Sequence, residues 1–242
     1  MKNLIRAELF KLRKSTSYRI LWITYLLIET AIHINNISNS VAYPKYNPTY
    51  TGAGWLHNLH QMQLLWAVVV FLFIAFYVNG DFVKHTFYTC LLSGTSRTNA
   101  FLAKLISAFV GTVPLMLIPL LTGTLLWSIH AGFGMDFGAE AIFLIAKAFA
   151  LQLLASLVLI SNAVFFSVIA KSSTRTFGWS FGTLYLLGVL RGNIGHIIQI
   201  PALREVLLFL LSLPYLNPWT FLTAIVLKLI LARYIFERYN LL

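Results

Sequence analysis

The sequence predicts an all-α polytopic membrane protein with six transmembrane helices. Hydrophobic residues make up 59% of the 242 residues and charged residues only 10%, against about 45–50% and about 25% in soluble domains. The apolar residues form continuous runs rather than alternating ten-residue segments, which favours helices over a membrane-spanning barrel. The net charge of +11 comes from basic residues between these runs. That distribution is typical of contacts with lipid headgroups and not of nucleic-acid binding.

The first predicted element is an amphipathic helix over residues 2–14. Its apolar and basic side chains occupy opposite arcs: Leu4, Ile5, Leu9 and Leu12 against Arg6, Arg13 and Lys14. Such a helix lies in the headgroup region rather than crossing the membrane. The alternative is a simple basic flank of the first span. We expect the apolar run that follows to be retained as this span and not removed as a signal peptide.

Six apolar runs are close to the roughly 20 residues that a membrane-spanning helix needs. They cover about 18–37, 62–78, 105–129, 141–170, 177–190 and 219–236. Before the last run, the apolar stretch 206–213 is too short to cross, and Pro214 and Pro218 interrupt it. A re-entrant or interfacial helical hairpin over residues 197–218 fits better. The prediction is one transmembrane domain over residues 1–242.

The basic residues predict the topology. Fourteen of the eighteen Lys and Arg side chains fall on the side of the two termini, whereas Lys45, Lys147, Arg191 and Arg204 do not. By the positive-inside rule, both termini are cytoplasmic. We expect the protein in the plasma membrane of a bacterium.

The least hydrophobic interior segment is residues 79–105, between the second and third spans. Read as a helix, one face carries Phe82, Val83, Thr86, Phe87, Cys90 and Leu91, while Lys84, His85 and Thr89 point elsewhere. Gly94 is a natural end for this helix. The topology places the segment in the cytoplasm, so we expect it to present a surface to a partner.

Catalytic motifs are absent from the sequence. There is no phosphate-binding loop of the G-x-x-x-x-G-K-[ST] type, no H-E-x-x-H and no G-x-S-x-G. His57 and His60 have a weak metal-ligand spacing without a nearby acidic residue, and Cys90 is the only cysteine. We therefore expect no catalytic residues, no metal site and no cofactor bound by this chain.

Two of the ionisable residues inside predicted spans form a candidate polar site. Glu29 lies in the first span and Lys147 in the fourth, at similar predicted depth. One interpretation is an ion pair within or across subunits, since unpaired charge in hydrocarbon is costly. The favoured interpretation is that Lys147 extends to the outer surface and that Glu29 meets water near the outer leaflet.

The fifth span contains small residues four positions apart, which allow helices to pack closely. They are Gly178, Gly182, Gly188 and Gly192.

Two stretches resemble a known family. MKNLIRAELFKLRKSTSYRILWI is similar to the opening of type-2 (exporter-type) ABC transporter permeases. LLSGTSRTNAFLAKL resembles the stretch that follows the second span in that family, where a Gly-x-x-Arg segment precedes a helix ending near a Lys. The predicted layout also resembles the family: six spans, both ends inside and a broken hairpin before the last span.

The resemblance implies specific roles. Residues 2–14 would be the elbow helix, and 79–105 would contain the cytoplasmic coupling helix, which docks on a separate ATPase subunit present in two copies. The implied docking contacts are Phe82, Lys84, Phe87, Tyr88, Leu91 and Arg97, with Glu8 in the elbow helix paired to Arg97 or Lys84. ATP and Mg would be bound by the ATPase. A second permease copy or a paralogue would pack against the four glycines of the fifth span.

The implied function is outward movement of a hydrophobic or amphipathic cargo such as an antimicrobial peptide or peptide antibiotic, because small permeases of this kind resemble those of peptide export or immunity systems. The alternative is a non-transport membrane protein, a sensor or assembly subunit that binds a different cytosolic partner.

Overall fold

The computed structural model describes residues 1–40, 51–59, 63–83, 92, 94–197 and 218–238. Within these ranges all regular structure is helical and no strand occurs, which confirms the all-α class. The helices are α1 (Lys2–Lys14), α2 (Thr16–Ser40), α3 (Gly52–Asn58), α4 (Gln63–Val83), α5 (Arg97–Ala131), α6 (Ala139–Ala170), α7 (Ser173–Ile197) and α8 (Pro218–Arg238).

Three helices are long and apolar enough to cross a membrane: α2, α5 and α6. Their outer surfaces carry large apolar side chains, and Leu27, Leu125 and Phe143 are each more than half exposed. Exposed apolar surface of this extent is stable in lipid but not in water. Helix α4 contains a shorter apolar stretch, Leu65–Asp81. The structure therefore supports a membrane protein, with three helices that meet the length and composition of a span.

Helix α1 has the amphipathic surface that the sequence predicts. Leu12 is buried and the rest of the apolar arc is half-buried, whereas Arg6, Arg13 and Lys14 are exposed. The hydroxyl oxygen of Ser15 accepts a hydrogen bond from the amide of Tyr18 at 3.2 Å. This contact caps the first turn of α2 and separates it from α1.

Both ends of the polar segment predicted between the second and third spans belong to the flanking helices. Residues 79–83 form the last turn of α4, and residues 97–105 form the first turns of α5. Asn79, Asp81 and Lys104 are buried, and their buried partners allow the two helices to continue through them. The connection between α4 and α5 is therefore 84–96. The predicted hairpin at 197–218 lies almost wholly outside the described residues.

The chain divides into two compact units, each treated separately below. Unit 1 comprises Met1–Leu9, Val70–Phe109 and Leu157–Leu242, and unit 2 comprises Phe10–Val69 and Val110–Ser156. The prediction of one transmembrane domain over 1–242 stays a prediction.

The core of unit 2 is an apolar cluster that includes Trp55, Leu120, Trp127 and Leu144. Backbone hydrogen bonds hold helix α3 against the turn after α5. In one of them the Gly52 amide donates to the Gly132 carbonyl at 3.2 Å. Gly132 has a φ of 79°, a left-handed conformation that glycine adopts without strain.

Candidate functional sites

The residues implied to dock on an ATPase fall mainly in the connection between α4 and α5. Four of them lie outside the described residues: Lys84, Phe87, Tyr88 and Leu91. Phe82 belongs to the last turn of α4, but the position of its side chain is also outside the description. At the far end of the connection, Leu92 is helical and 89% exposed. Gly94 has a φ of 85°, so the chain changes direction there before α5 begins.

The helices on either side of this connection contribute to a buried ionic cluster in unit 1, the Glu8 cluster, formed by Glu8, Tyr77, Asp81 and Lys104. The ammonium of Lys104 lies 2.8 Å from a carboxylate oxygen of Glu8 and 2.5 Å from one of Asp81. The side chains of Lys104 and Asp81 are each 4% exposed and that of Glu8 is 13% exposed. One cation is therefore shared by two carboxylates in a largely dry environment, where ionic hydrogen bonds are strong.

Tyr77 completes the Glu8 cluster. Its hydroxyl donates a hydrogen bond to Glu8 at 2.8 Å and lies 2.8 Å from the hydroxyl of Ser107. The ammonium of Lys104 also sits 3.5 Å from the centre of the Tyr77 ring, a cation–π contact. As a result, α1, α4 and α5 are joined by charge-assisted contacts close to where α4 ends and α5 begins.

The described residues pair Glu8 with Lys104 and not with Arg97, one of the two partners expected. Glu8 contacts Lys104, whereas Arg97 donates a hydrogen bond to the backbone carbonyl of Glu237 at 2.7 Å; Lys84 lies outside the described residues. Arg97 is exposed and Lys104 is buried. The buried cation attracts a half-buried carboxylate more strongly because the local dielectric constant is lower. In the sequence, Lys104 is one of the basic residues predicted on the cytoplasmic side and the lysine near the end of LLSGTSRTNAFLAKL, and neither pattern predicts its contact with Glu8.

A second polar contact anchors the end of α4. The side-chain amide of Asn79 donates to the hydroxyl oxygen of Thr176 at 2.8 Å and approaches that of Ser167 at 3.4 Å. All three side chains are buried. These bonds join α4 to α6 and α7 in unit 1, and they explain why a polar residue is stable inside an apolar helix.

The start of α5 is attached to the end of α8. The hydroxyl of Thr98 and the guanidinium of Arg233 both donate to the carboxylate of Glu237. These hydrogen bonds, first the one from Thr98 and then the one from Arg233, lower the pKa of Glu237. The rings of Phe101 and Phe236 pack 5.6 Å apart beside them.

Glu29 lies in a different kind of environment, in unit 2. It is only 3% exposed and shares one face of α2 with Tyr25 and His33, which lie four residues before and after it; these three residues are the Glu29 cluster. A carboxylate oxygen of Glu29 is 3.7 Å from Nε2 of His33, and the Tyr25 hydroxyl faces the carboxylate without forming a well-aligned hydrogen bond. The three-residue polar face with i, i+4 spacing is visible in the sequence, but the sequence analysis missed Tyr25 and His33.

Aromatic packing surrounds His33. Its ring meets the ring of Trp55 edge-on with centroids 4.5 Å apart, and the indole of Trp55 donates to the carbonyl of Pro119 at 3.1 Å. Neither ring nitrogen of His33 has a hydrogen-bond partner among the described residues. His33 is therefore held in place by the shape of its surroundings.

Glu29 and Lys147 do not form an ion pair within the described chain. Lys147 is exposed on α6, and the ionisable neighbour of Glu29 is His33. Glu29 is also buried instead of meeting water, because Tyr25, His33 and Trp55 pack along the same side of α2. A pair between two copies of the chain stays a prediction.

The glycines predicted to pack against a second copy lie on α7. Gly178 and Gly182 are exposed, and a Cβ at either position would meet no atom within 4 Å. Gly188 and Gly192 belong to the same helix, but their surroundings fall outside what the structure describes. The dimer contact stays a prediction, and the open surface at the first two glycines leaves room for it.

Metal-ligating side chains are not clustered in the described part of the chain. No group of three His, Cys, Asp or Glu side chains there could hold a metal ion. His60, the second histidine of the weak pair noted in the sequence, lies outside the described residues.

No model of a known protein family matches this chain, and no curated protein sequence matches it.

Proposed function

We propose that this chain is the transmembrane subunit of an ATP-driven exporter of the type-2 ABC class. A separate ATPase would dock on the connection between α4 and α5 and drive an amphipathic or hydrophobic cargo, such as a peptide antibiotic, outward. The observation that carries the proposal is the Glu8 cluster, which joins the amphipathic α1 to both helices that flank this connection.

Docking is useful for transport only if movement of the docked segment reaches the spans. The connection 84–96 leads directly into α4 and α5. Because Lys104 on α5 contacts both Asp81 on α4 and Glu8 on α1, a displacement of the connection would move these helices together. Packed helices with fixed polar contacts move as rigid bodies rather than bending continuously. This property is what a coupling site requires.

Three further helices would complete the six spans. Helices α4, α7 and α8 contain 21, 25 and 21 residues. At about 1.5 Å per residue, 21 residues reach about 31 Å, which matches the roughly 30 Å hydrocarbon core of a bilayer. Six spans would put α1 and the end of α8 on the same, cytoplasmic side, where the basic residues concentrate.

The surface of α7 supports an apolar or amphipathic cargo. The rings of Phe177, Phe181 and Tyr185 follow one another along this helix with centroids 5.9 and 6.5 Å apart. Gly178 and Gly182 are exposed on the same helix. An aromatic row beside small residues offers contact to apolar groups without a hydrophilic pore.

The test uses the full chain purified with the ATPase that accompanies it in its native membrane. We expect the chain alone to hydrolyse no ATP. In the complex, Lys84→Glu and Phe87→Ala should reduce cargo-stimulated ATP hydrolysis about tenfold or more, because a hot-spot contact contributes about 2 kcal/mol. Lys2→Glu, an exposed charge reversal on α1, is the matched control and should have little effect.

Two outcomes would count against the proposal. Normal ATP hydrolysis and transport in the Lys84 and Phe87 variants would show that the docking residues are wrong. Consistent failure to recover any ATPase, with a different cytosolic protein bound in a Lys84-dependent manner, would favour the sensor or assembly-subunit alternative.

A further inference from the structure

A cleft of about 450 Å³ opens on unit 2 beside the first two turns of α6. This volume lies within the range of roughly 300–1,000 Å³ found for small-molecule sites. Its lining comes from α3, α6 and the turn before α6, and includes His57, Met135, Glu140, Phe143, Leu144 and Lys147.

The cleft has one negative and one positive end. Glu140 and Lys147 are both exposed, and neither forms an ion pair with another residue in the described ranges. They are seven residues apart on one helix, which places them on the same face about 10 Å apart along the axis. Phe143 and Leu144 occupy the wall between them. The two charges are therefore too far apart along the helix for a close ion pair and remain open to a ligand.

The order of these groups along α6 has a direction. In the predicted topology the start of α6 is at the outer surface, so Glu140 lies at the water boundary and Lys147 two turns deeper. Side chains on a helix lean toward its N-terminus, and a lysine near a membrane surface extends toward the headgroups. From the outside inward, the ligand would meet a carboxylate and then an ammonium, with apolar side chains between the two.

We propose that this cleft binds the headgroup of a zwitterionic phospholipid with a primary amine, taken from the outer leaflet. In such a lipid the ammonium is outermost, the phosphate lies beneath it and the acyl chains follow. The ammonium would meet Glu140 and the phosphate would meet Lys147, while Phe143 and Leu144, which lie between the two charges, would contact the ethanolamine carbons. Both ionic contacts are charge-assisted hydrogen bonds, the strong class.

The same chemistry discriminates between headgroups. A trimethylammonium group carries a charge but has no N–H to donate to Glu140, so a choline lipid would lose that hydrogen bond. A glycerol headgroup leaves a net negative lipid facing the carboxylate of Glu140. Both should bind more weakly than the primary-amine lipid, because a charge lacking its partner costs more than the bond itself is worth.

The experiment is native mass spectrometry of the purified full chain with phosphatidylethanolamine, phosphatidylcholine and phosphatidylglycerol of identical acyl chains. We expect the ethanolamine lipid to bind about tenfold more tightly than the other two, the effect of one charge-assisted hydrogen bond. Glu140→Gln should abolish this preference, whereas Lys147→Met should weaken the binding of all three lipids. Lys147→Arg should retain binding, since a guanidinium also binds phosphate.

Matched controls are available on the same chain. Asp136→Asn removes an exposed carboxylate from the adjoining turn, and Lys14→Met removes an exposed ammonium from α1; neither residue lines the cleft, and neither change should alter lipid binding. If Lys147→Met fails to fold, as judged by circular dichroism and size exclusion, the proposal is tested by comparing the ethanolamine preference of Glu140→Gln with that of Asp136→Asn.

Equal binding of the three lipids to the unaltered chain would overturn the proposal, as would a full ethanolamine preference in Glu140→Gln. If the Glu140 and Lys147 variants bind all three lipids as the unaltered chain does, and a cationic peptide binds in a Glu140-dependent manner, the lipid proposal is wrong and the cleft is assigned to cargo. No ATPase is needed for these measurements, so their result is independent of the exporter proposal.

Discussion

The Glu8 cluster and the Glu29 cluster both bury ionisable side chains, but they are held in different ways. In the Glu8 cluster every charged group has an opposite charge within 2.8 Å. In the Glu29 cluster the nearest ionisable atoms, a carboxylate oxygen of Glu29 and Nε2 of His33, are 3.7 Å apart, and the ring nitrogens of His33 have no hydrogen-bond partner in the described residues. The first cluster is held by ionic bonds and the second by the aromatic side chains packed around it.

This difference separates two meanings of a buried polar residue. A fully paired cluster joins helices and makes them move together, which is why the Glu8 cluster supports a coupling role. A cluster with spare hydrogen-bonding capacity contributes little to holding helices together. Burial of a charge is thus a weaker indication of function than the identity of its partners.

The largest effect is expected from Lys104→Met. Removing the shared ammonium leaves Glu8 and Asp81 buried without a counter-charge, and breaking a buried ion pair in this way costs about 3–5 kcal/mol. The free energy of unfolding can be measured by denaturant titration in detergent micelles. Lys14→Met, at an exposed lysine, is the control and should change it by less than about 0.5 kcal/mol. If Lys104→Met lowers the free energy of unfolding by less than about 1 kcal/mol, the Glu8 cluster does not hold α1, α4 and α5 together.

Gly123→Ala tests the shape of the aromatic surroundings in unit 2. A Cβ at Gly123 would lie 2.1 Å from the indole nitrogen of Trp55, so the indole must leave its present position, in which it contacts His33 and donates to Pro119. Overpacking of this kind costs about 1–3 kcal/mol. At Gly138 a Cβ would meet nothing within 4 Å, and Gly138→Ala serves as the matched control. Equal unfolding free energies for the two variants would show that Trp55 is not tightly confined.

His33→Phe should be nearly neutral or stabilising by up to about 1 kcal/mol, because it keeps a ring against Trp55 and removes two unpartnered buried nitrogens. Tyr77→Phe is the counterpart in the Glu8 cluster. It removes a hydroxyl bonded to Glu8 and should destabilise by about 1 kcal/mol. If His33→Phe is the more destabilising of the two in the same unfolding assay, the comparison between the clusters is reversed.

The smallest effect concerns pH. The pKa of Glu237 is lowered in the folded chain by the hydrogen bonds from Thr98 and Arg233. Its stabilising contribution is therefore present above the pKa of the unfolded chain and is lost as the pH falls through the lower, folded pKa. The difference in melting temperature between the unaltered chain and Glu237→Gln should shrink on acidification. If this difference in melting temperature stays constant with pH, the Glu237 carboxylate does not contribute to stability through its lowered pKa.

Much of the fold could be predicted from local patterns. The helix at residues 2–14 has the predicted bounds, and the six apolar runs fall within α2, α4, α5, α6, α7 and α8 apart from one residue at the start of the second run. Helical periodicity and apolar run length are local properties, so a single sequence contains them. The polar residues at 79–83 were placed outside α4 because their charge suggested an interruption, whereas buried partners kept them helical.

The sequence by itself determined where the long apolar helices lie and where the basic charge concentrates, but it did not predict the short helix α3. Only the tertiary structure decided the partners: Lys104 contacts Glu8, 96 positions away, and Asp81, 23 positions away, while the ring of His33 packs against Trp55. The physical reason is that helix formation depends on neighbours three and four residues apart. The pairing of buried charges depends instead on how helices pack and rotate, and no local pattern records this.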